Sequence, residues 1–181
     1  MGAQLLLTDP VVVAAFTAAC SVLLVFGALT KLRDIAIFRY AVDNYRLLPS
    51  ILVPVFAWLY ALSELAAGLA LGFASERTMA LILAEAVVLA ASVAVLVNLL
   101  RGRRSIECGC GIGGQQIAPG LLVRNLLLAL AIWLASRTPL GRPLTSLDFF
   151  SWAGTALALL ALYVCANQLL SNQQRLKELH S

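Results

Sequence analysis

The chain reads as an all-α integral membrane protein, a bundle of about five transmembrane helices with a four-helix core and a fifth, C-terminal helix. Three observations lead there. Of its 181 residues, 61% are hydrophobic and 12% charged, and mean hydropathy is +0.92, beyond the range of a water-soluble domain. The apolar residues form uninterrupted blocks of about 20, the length that crosses the hydrocarbon layer as a helix. The charges collect in the gaps between blocks, and a net charge of +4 spread over loops suits orientation in a bilayer better than nucleic-acid binding.

Taken in order, the first span is expected from about Val11 to Leu29, opened by Pro10 as a first-turn residue and carrying Cys20 near its middle. The start of the chain lacks the basic stretch of a secretory signal. Thr30 to Ser50 is a polar connector with Lys31, Arg33, Asp34, Arg39, Asp43 and Arg46. Its interspersed apolar residues fit either an interfacial amphipathic segment or an ordinary basic loop. The second span, about Ile51 to Phe73, holds Glu64, and a tight turn at Ala74–Glu76 leads into the third, about Arg77 to Leu100, with Glu85 and Asn98. A polar loop, 101–116, precedes the fourth span, about Ile117 to Ser136, which contains Arg124 and Asn125. A Pro/Gly-rich connector leads to the fifth, about Asp148 to Leu170, and a polar tail follows. The whole is expected to be a single membrane domain.

The loop carries the chemistry. Glu107-Cys108-Gly109-Cys110-Gly111 sets two thiols one residue apart, with glycine between and after them. Gly109 lacks the Cβ that would resist bending the sulfurs together. So small a ring is strained and easily reduced, the property of a working disulfide. Arg101, Arg103, Arg104 and Arg124 are near in sequence, and cationic surroundings favour thiolate. Thiol–disulfide exchange is therefore the functional reading. Thiolate binding of copper(I) or zinc is an alternative, although two sulfurs do not close a zinc site and the only histidine is His180. A glycine-rich turn with incidental cysteines is a third.

Polar groups inside the spans add a second candidate region. Glu64 and Glu85 lie 11 and 10 residues from Ser75, so antiparallel helices would bring them to one depth, roughly 15 Å below the surface. Cys20 is expected at a similar level. Carboxylates there must be protonated, paired or hydrogen-bonded. Either they fix helix packing, or with Cys20 they line a pocket for protons, a quinone head group or an electron relay. Cys165 is expected to serve packing. Arg124 either snorkels to the interface or lies within reach of Cys108 and Cys110 and stabilises a thiolate. The small residues Gly68, Ala70, Gly72, Ala90, Ala91, Ser92 and Ala94 report close helix contact.

Counting Lys and Arg by side gives ten on the side of the cysteine loop (Lys31, Arg33, Arg39, Arg46, Arg101, Arg103, Arg104, Arg124, Arg175, Lys177) against Arg77, Arg137 and Arg142 on the other. The expectation is a multi-pass protein of the cell membrane, N-terminus outside, with the C-terminus and the Cys108/Cys110 loop cytoplasmic.

Several segments in order, Lys31-Leu-Arg-Asp34, Asn44-Tyr-Arg-Leu-Leu-Pro49, Glu64-Leu-Ala-Ala-Gly68, Asn98-Leu-Leu-Arg-Gly-Arg103, Glu107-Cys-Gly-Cys-Gly111 and Arg124-Asn-Leu-Leu127, resemble the MauE family of methylamine utilisation membrane proteins, related to DoxX-like proteins. The resemblance covers roughly residues 10 to 135. Where the family commonly has an aromatic after the Cys-Gly-Cys-Gly run, this chain has Ile112. The resemblance implies a four-to-five-helix membrane protein linked to thiol redox chemistry, supporting maturation of the disulfide-rich, extracytoplasmic small subunit of methylamine dehydrogenase. It implies a redox role for Cys108 and Cys110.

The expected site thus comprises Cys108, Cys110, Arg124 and Asn125 as the exchanging machinery, and Glu64, Glu85 and Cys20 as candidate quinone-site residues. The partners expected are the lipid bilayer and a thioredoxin-like or client protein. Rival readings are a non-catalytic assembly factor and a metal-handling protein. A transporter is disfavoured, because no inverted repeat or broken-helix pair is evident.

Overall fold

The computed structural model describes residues 7–73, 77–103, 106, 108–109 and 116–179, the side chains of 174–179 excepted. Six helices order these residues: α1 Pro10–Arg33, α2 Ile35–Asn44, α3 Val53–Phe73, α4 Arg77–Leu100, α5 Pro119–Ala135 and α6 Ser146–Leu179. Four of them, α1, α3, α4 and α6 over Ser146–Gln173, are long and apolar enough to cross a membrane. The apolar α5, 17 residues long, is at the short end of the spanning range. The all-helical membrane bundle is as the sequence predicts.

Local sequence sets the helix ends. Asp9 caps α1, its carboxylate accepting from the Val11 N–H at 2.8 Å, and Pro10 occupies the first turn, where no N–H is needed. The helix overruns its expected end at Leu29 by a turn, because Thr30–Arg33 contains no breaker and Lys31 and Arg33 suit the negative end of the helix dipole. The chain then restarts as α2, so the connector is helical: Phe38 and Ala41 are buried while Ile37 and Tyr40 stay exposed, the two-faced pattern of an interfacial helix. At α4's C-terminus the Gly102 N–H reaches Leu99 O at 3.0 Å and the Arg103 N–H reaches Asn98 O at 3.0 Å. This is a Schellman end, and Gly102, at φ +71°, supplies the left-handed residue it needs. Thr145 and Asp148 cap α6 reciprocally. The tail expected to be merely polar continues this helix to Leu179.

In the packing, α1 contacts α3, α5 and α6, and α4 contacts α3 and α5. The α1–α3 contact is close: a Cβ on Gly68 would stand 2.8 Å from the Val25 backbone nitrogen, and Ser21 Oγ donates to Gly68 O at 2.7 Å. Cys20, Leu24, Ala67, Leu71, Ala84, Val88 and Ile132 form the core of this half. A second cluster, of Tyr45, Val95, Cys108, Ile117 and Leu121, lies under the cysteine loop. At the opposite end Arg142 joins Asp9 at 3.2 Å and Asp148 at 2.8 Å, tying the α5–α6 connector to the start of α1. Cys165, expected to pack, is exposed: among the described residues no helix lies against its face of α6.

Candidate functional site

The cysteine loop is held down from both of its ends. After the Schellman turn, Arg101 Nη1 donates to Arg46 O at 3.3 Å, and Arg103 Nη1 to Tyr45 O at 3.4 Å and Asn98 Oδ1 at 3.3 Å. Both arginines thus satisfy carbonyls just past α2. At the exit, the Ile117 N–H donates to Ile106 O at 2.9 Å, pinching the loop shut. Between these ties Cys108 and Gly109 lie against α2 and its C-terminal end. Gly109 is at φ +65°, and a Cβ there would stand 2.8 Å from Ala41 Cβ and 3.4 Å from Phe38 Cδ2. Only glycine meets both demands.

Cys108 is consequently buried, at 6% exposure, and its carbonyl accepts a hydrogen bond from Tyr45 Oη at 3.0 Å. It is disulfide-bonded, whereas Cys20 and Cys165 are free thiols. Cys110, with Glu107 and residues 111–115, lies outside the described residues. Burial pushes the Tyr45 phenol up to about 12, the Arg124 charge opposing the rise, so it remains a neutral donor near pH 7.

Cys108 and Gly109 border a cavity of about 440 Å³ with mostly apolar walls and a few polar groups, among them Tyr45, Lys31, Glu64, Arg124 and Asn125. That size and character are typical of small-molecule sites. Lys31 Nζ lies 2.7 and 3.0 Å from the two Glu64 oxygens and 3.2 Å from Gly27 O, with the Phe38 and Tyr60 rings 5.7 and 5.8 Å away. Both partners are buried, at 8% and 7% exposure. Gly27 makes room, since a Cβ there would come within 3.1 Å of Glu64 Oε1. Arg124, also buried, donates from Nε and Nη2 to Asn125 Oδ1 at 3.3 and 3.0 Å and from Nη1 to Asn167 Oδ1 at 2.6 Å. The Tyr163 ring lies 5.7 Å from its guanidinium carbon. The arrangement can hold a ligand with a polar head beside a disulfide and two buried cations.

Of the residues singled out from sequence, Cys108, Arg124, Asn125 and Glu64 meet at this cavity. Arg124 does not snorkel: Asn125, Asn167 and Tyr163 offer partners inside the bundle, so it turns inward. Cys20 packs in the apolar cluster between α1 and its neighbours, outside the cavity lining. Glu85 is likewise not in the lining, and among the described residues its Oε2 has no hydrogen-bond partner. Arg101 serves a backbone carbonyl and Arg103 a backbone carbonyl and the Asn98 side chain, and Arg104 lies outside the described residues. Three contributors escaped sequence reasoning. Lys31 was assigned to the surface by its charge, although it continues the α1 helix four residues after Gly27. Tyr45 reads from sequence only as one of the apolar residues of the interfacial connector, and Asn167, far along the chain, left no signal.

The sequence model of the family described as "Methylamine utilisation protein MauE" matches residues 9–137. Among curated proteins, the chain is 35% identical to the methylamine utilization protein MauE of Paracoccus denitrificans over 76% of its own length and 75% of the relative's. The MauE of Paracoccus versutus is 31% identical over 92% and 91%, and that of Methylorubrum extorquens 33% over 86% and 87%. No solved structure matches the chain. A match that takes in Lys31, Glu64, Cys108 and Arg124 together, with relatives above 30% identity along most of their lengths, establishes that this multi-pass membrane protein belongs to the MauE family.

Proposed function

We propose that this chain is a membrane thiol–disulfide redox protein in which Cys108 and Cys110 exchange with a protein partner, and that it acts in methylamine utilisation by supporting maturation of a disulfide-containing enzyme, such as the methylamine dehydrogenase small subunit. The observation that carries the reading is that Cys108 is disulfide-bonded on the wall of a cavity that also holds the buried Arg124 guanidinium. A structural bridge needs no such neighbour. A thiolate does, because a nearby cation favours its charged form. The partner is a thioredoxin-like protein or the client itself. Exchange proceeds by attack of a thiolate on a disulfide sulfur through a mixed disulfide.

The test is a trap. With Cys110→Ser, Cys108 forms a mixed disulfide with the partner that nothing resolves, so a reductant-sensitive adduct accumulates on non-reducing gels. The double variant Cys108→Ser/Cys110→Ser forms none, and disulfide-containing client fails to accumulate in cells that carry it. Full client assembly in the double variant would instead make the chain a non-catalytic assembly factor.

A further inference from the structure

A pair of thiols that turns over needs a second redox partner, and the cavity beside Cys108 has the features of a site for one. Its mouth includes Leu47, Phe56 and Val93, which are 38%, 39% and 56% exposed. Phe56 and Val93 belong to the membrane-crossing helices α3 and α4, so the opening faces lipid tails and admits a ligand dissolved in the bilayer. Inside, Arg124 engages three of its N–H groups with Asn125 and Asn167. A guanidinium has five. Among the described residues no carboxylate lies within ion-pair distance of it. A buried cation without a counter-ion calls for a hydrogen-bond acceptor that can take up negative charge.

The geometry points to an isoprenoid quinone as the occupant, its ring carbonyl facing Arg124 and its tail leaving between α3 and α4, as the oxidant of the Cys108/Cys110 dithiol. The inference rests on the thiol-exchange reading and gives it a direction. Two S–H bonds break and one S–S bond forms; two electrons and two protons pass to the quinone oxygens, giving the quinol. The regenerated disulfide then oxidises a partner dithiol, so the net flow runs from client thiols to the quinone pool. Lys31 and Glu64 line the same cavity with their charges already paired. They serve as the polar wall that positions the ring, while Arg124 stabilises charge building on its oxygen.

The experiment uses the full chain in lipid nanodiscs, reduced, freed of reductant and mixed without oxygen with decylubiquinone or menadione. Quinone absorbance and maleimide-reactive thiols are followed together. The expected result is one quinol per disulfide formed. Arg124→Lys, which keeps the charge but loses the fork, should raise the quinone concentration for half-maximal rate about tenfold, the effect of losing a charged hydrogen bond. Val93→Trp, a change on a lipid-facing position, should do the same by obstructing the mouth. Leu162→Trp, on an exposed face of α6 away from the cavity, should change nothing. Unaltered quinone dependence in both test variants, or no quinone reduction by a pair that still exchanges with dithiothreitol, overturns the quinone site alone. A pair that does neither overturns the thiol reading with it.

Discussion

Lys31 and Glu64 show how much a single buried pair can constrain. Each charge is withdrawn from water, and the cost is offset only because Nζ reaches both carboxylate oxygens and Gly27 O. Removing one partner strands the other. Glu64→Ala is therefore expected to lower stability by about 3–5 kcal/mol, whereas the double variant Lys31→Met/Glu64→Leu should regain most of that loss. Thermal unfolding of purified protein in one detergent, followed by tryptophan fluorescence, checks both. Gly109 gives a second case: its left-handed φ costs any other residue roughly 1–2 kcal/mol, and a Cβ also meets Ala41. Gly109→Ala should lift the loop from α2, seen as faster hydrogen exchange at the Ile117 amide. Adding Ala41→Gly should restore part of the protection, because it removes the clash and leaves the φ penalty. From sequence, the need for glycine beside the cysteines was legible as freedom to bend, but its close fit on Ala41, 68 positions away, was not. For Glu64 the sequence required protonation, pairing or hydrogen bonding, without saying which or naming a partner. Charge counting had already assigned Lys31 to the surface.

At the scale of elements, the membrane helices were readable because each is a continuous apolar block. What could not be read was where polar residues extend a helix. Thr30–Arg33 reads from sequence as part of a polar connector, either interfacial or loop, yet Lys31 finds Glu64 and the helix continues; Arg124 reads as either snorkelling or inward-facing, and Asn167 on α6 draws it inward. Small residues report contact correctly at α1–α3. There Gly68→Ala should cost about 1–3 kcal/mol, because its Cβ meets the Val25 backbone, which cannot rotate away. Gly72→Ala should cost less, since its Cβ meets only the Ser21 side chain, whose hydroxyl can turn. The same unfolding assay ranks them. The opposite end of α1 has a pH dependence of predictable sign. The Arg142 guanidinium, with the Val11 N–H, holds the Asp9 carboxyl below the usual carboxylate range. A depressed folded value contributes stability that is complete above the unfolded value of about 3.9 and is lost as pH falls through the lower folded value. Asp9→Asn, which keeps a capping oxygen but no charge, should flatten that acid limb of the unfolding profile.

For the whole molecule, the topology gathers the α1–α2 junction, the cysteine loop, the start of α5 and the end of α6 at one end of the bundle, and Asp9, Arg137, Arg142 and Asp148 at the other. Two of the ten cations counted on the cysteine side, Lys31 and Arg124, are buried and so cannot act as surface charges. The remaining eight still outnumber the three opposite, and the rule depends on loop cations near helix ends. The cysteine end is therefore expected to face the cytoplasm. Thiol labelling tests this: a Cys20→Ser/Cys165→Ser background leaves only the two loop cysteines of the four in the chain, so after reduction a membrane-impermeant maleimide reports on them alone. Labelling should be absent in intact cells with or without reduction, and appear in inverted vesicles only after reduction. The opposite pattern would put the disulfide on the outer face. Electrons would then reach the bilayer quinone without a cytoplasmic thiol partner, because the cavity mouth opens to lipid in either orientation.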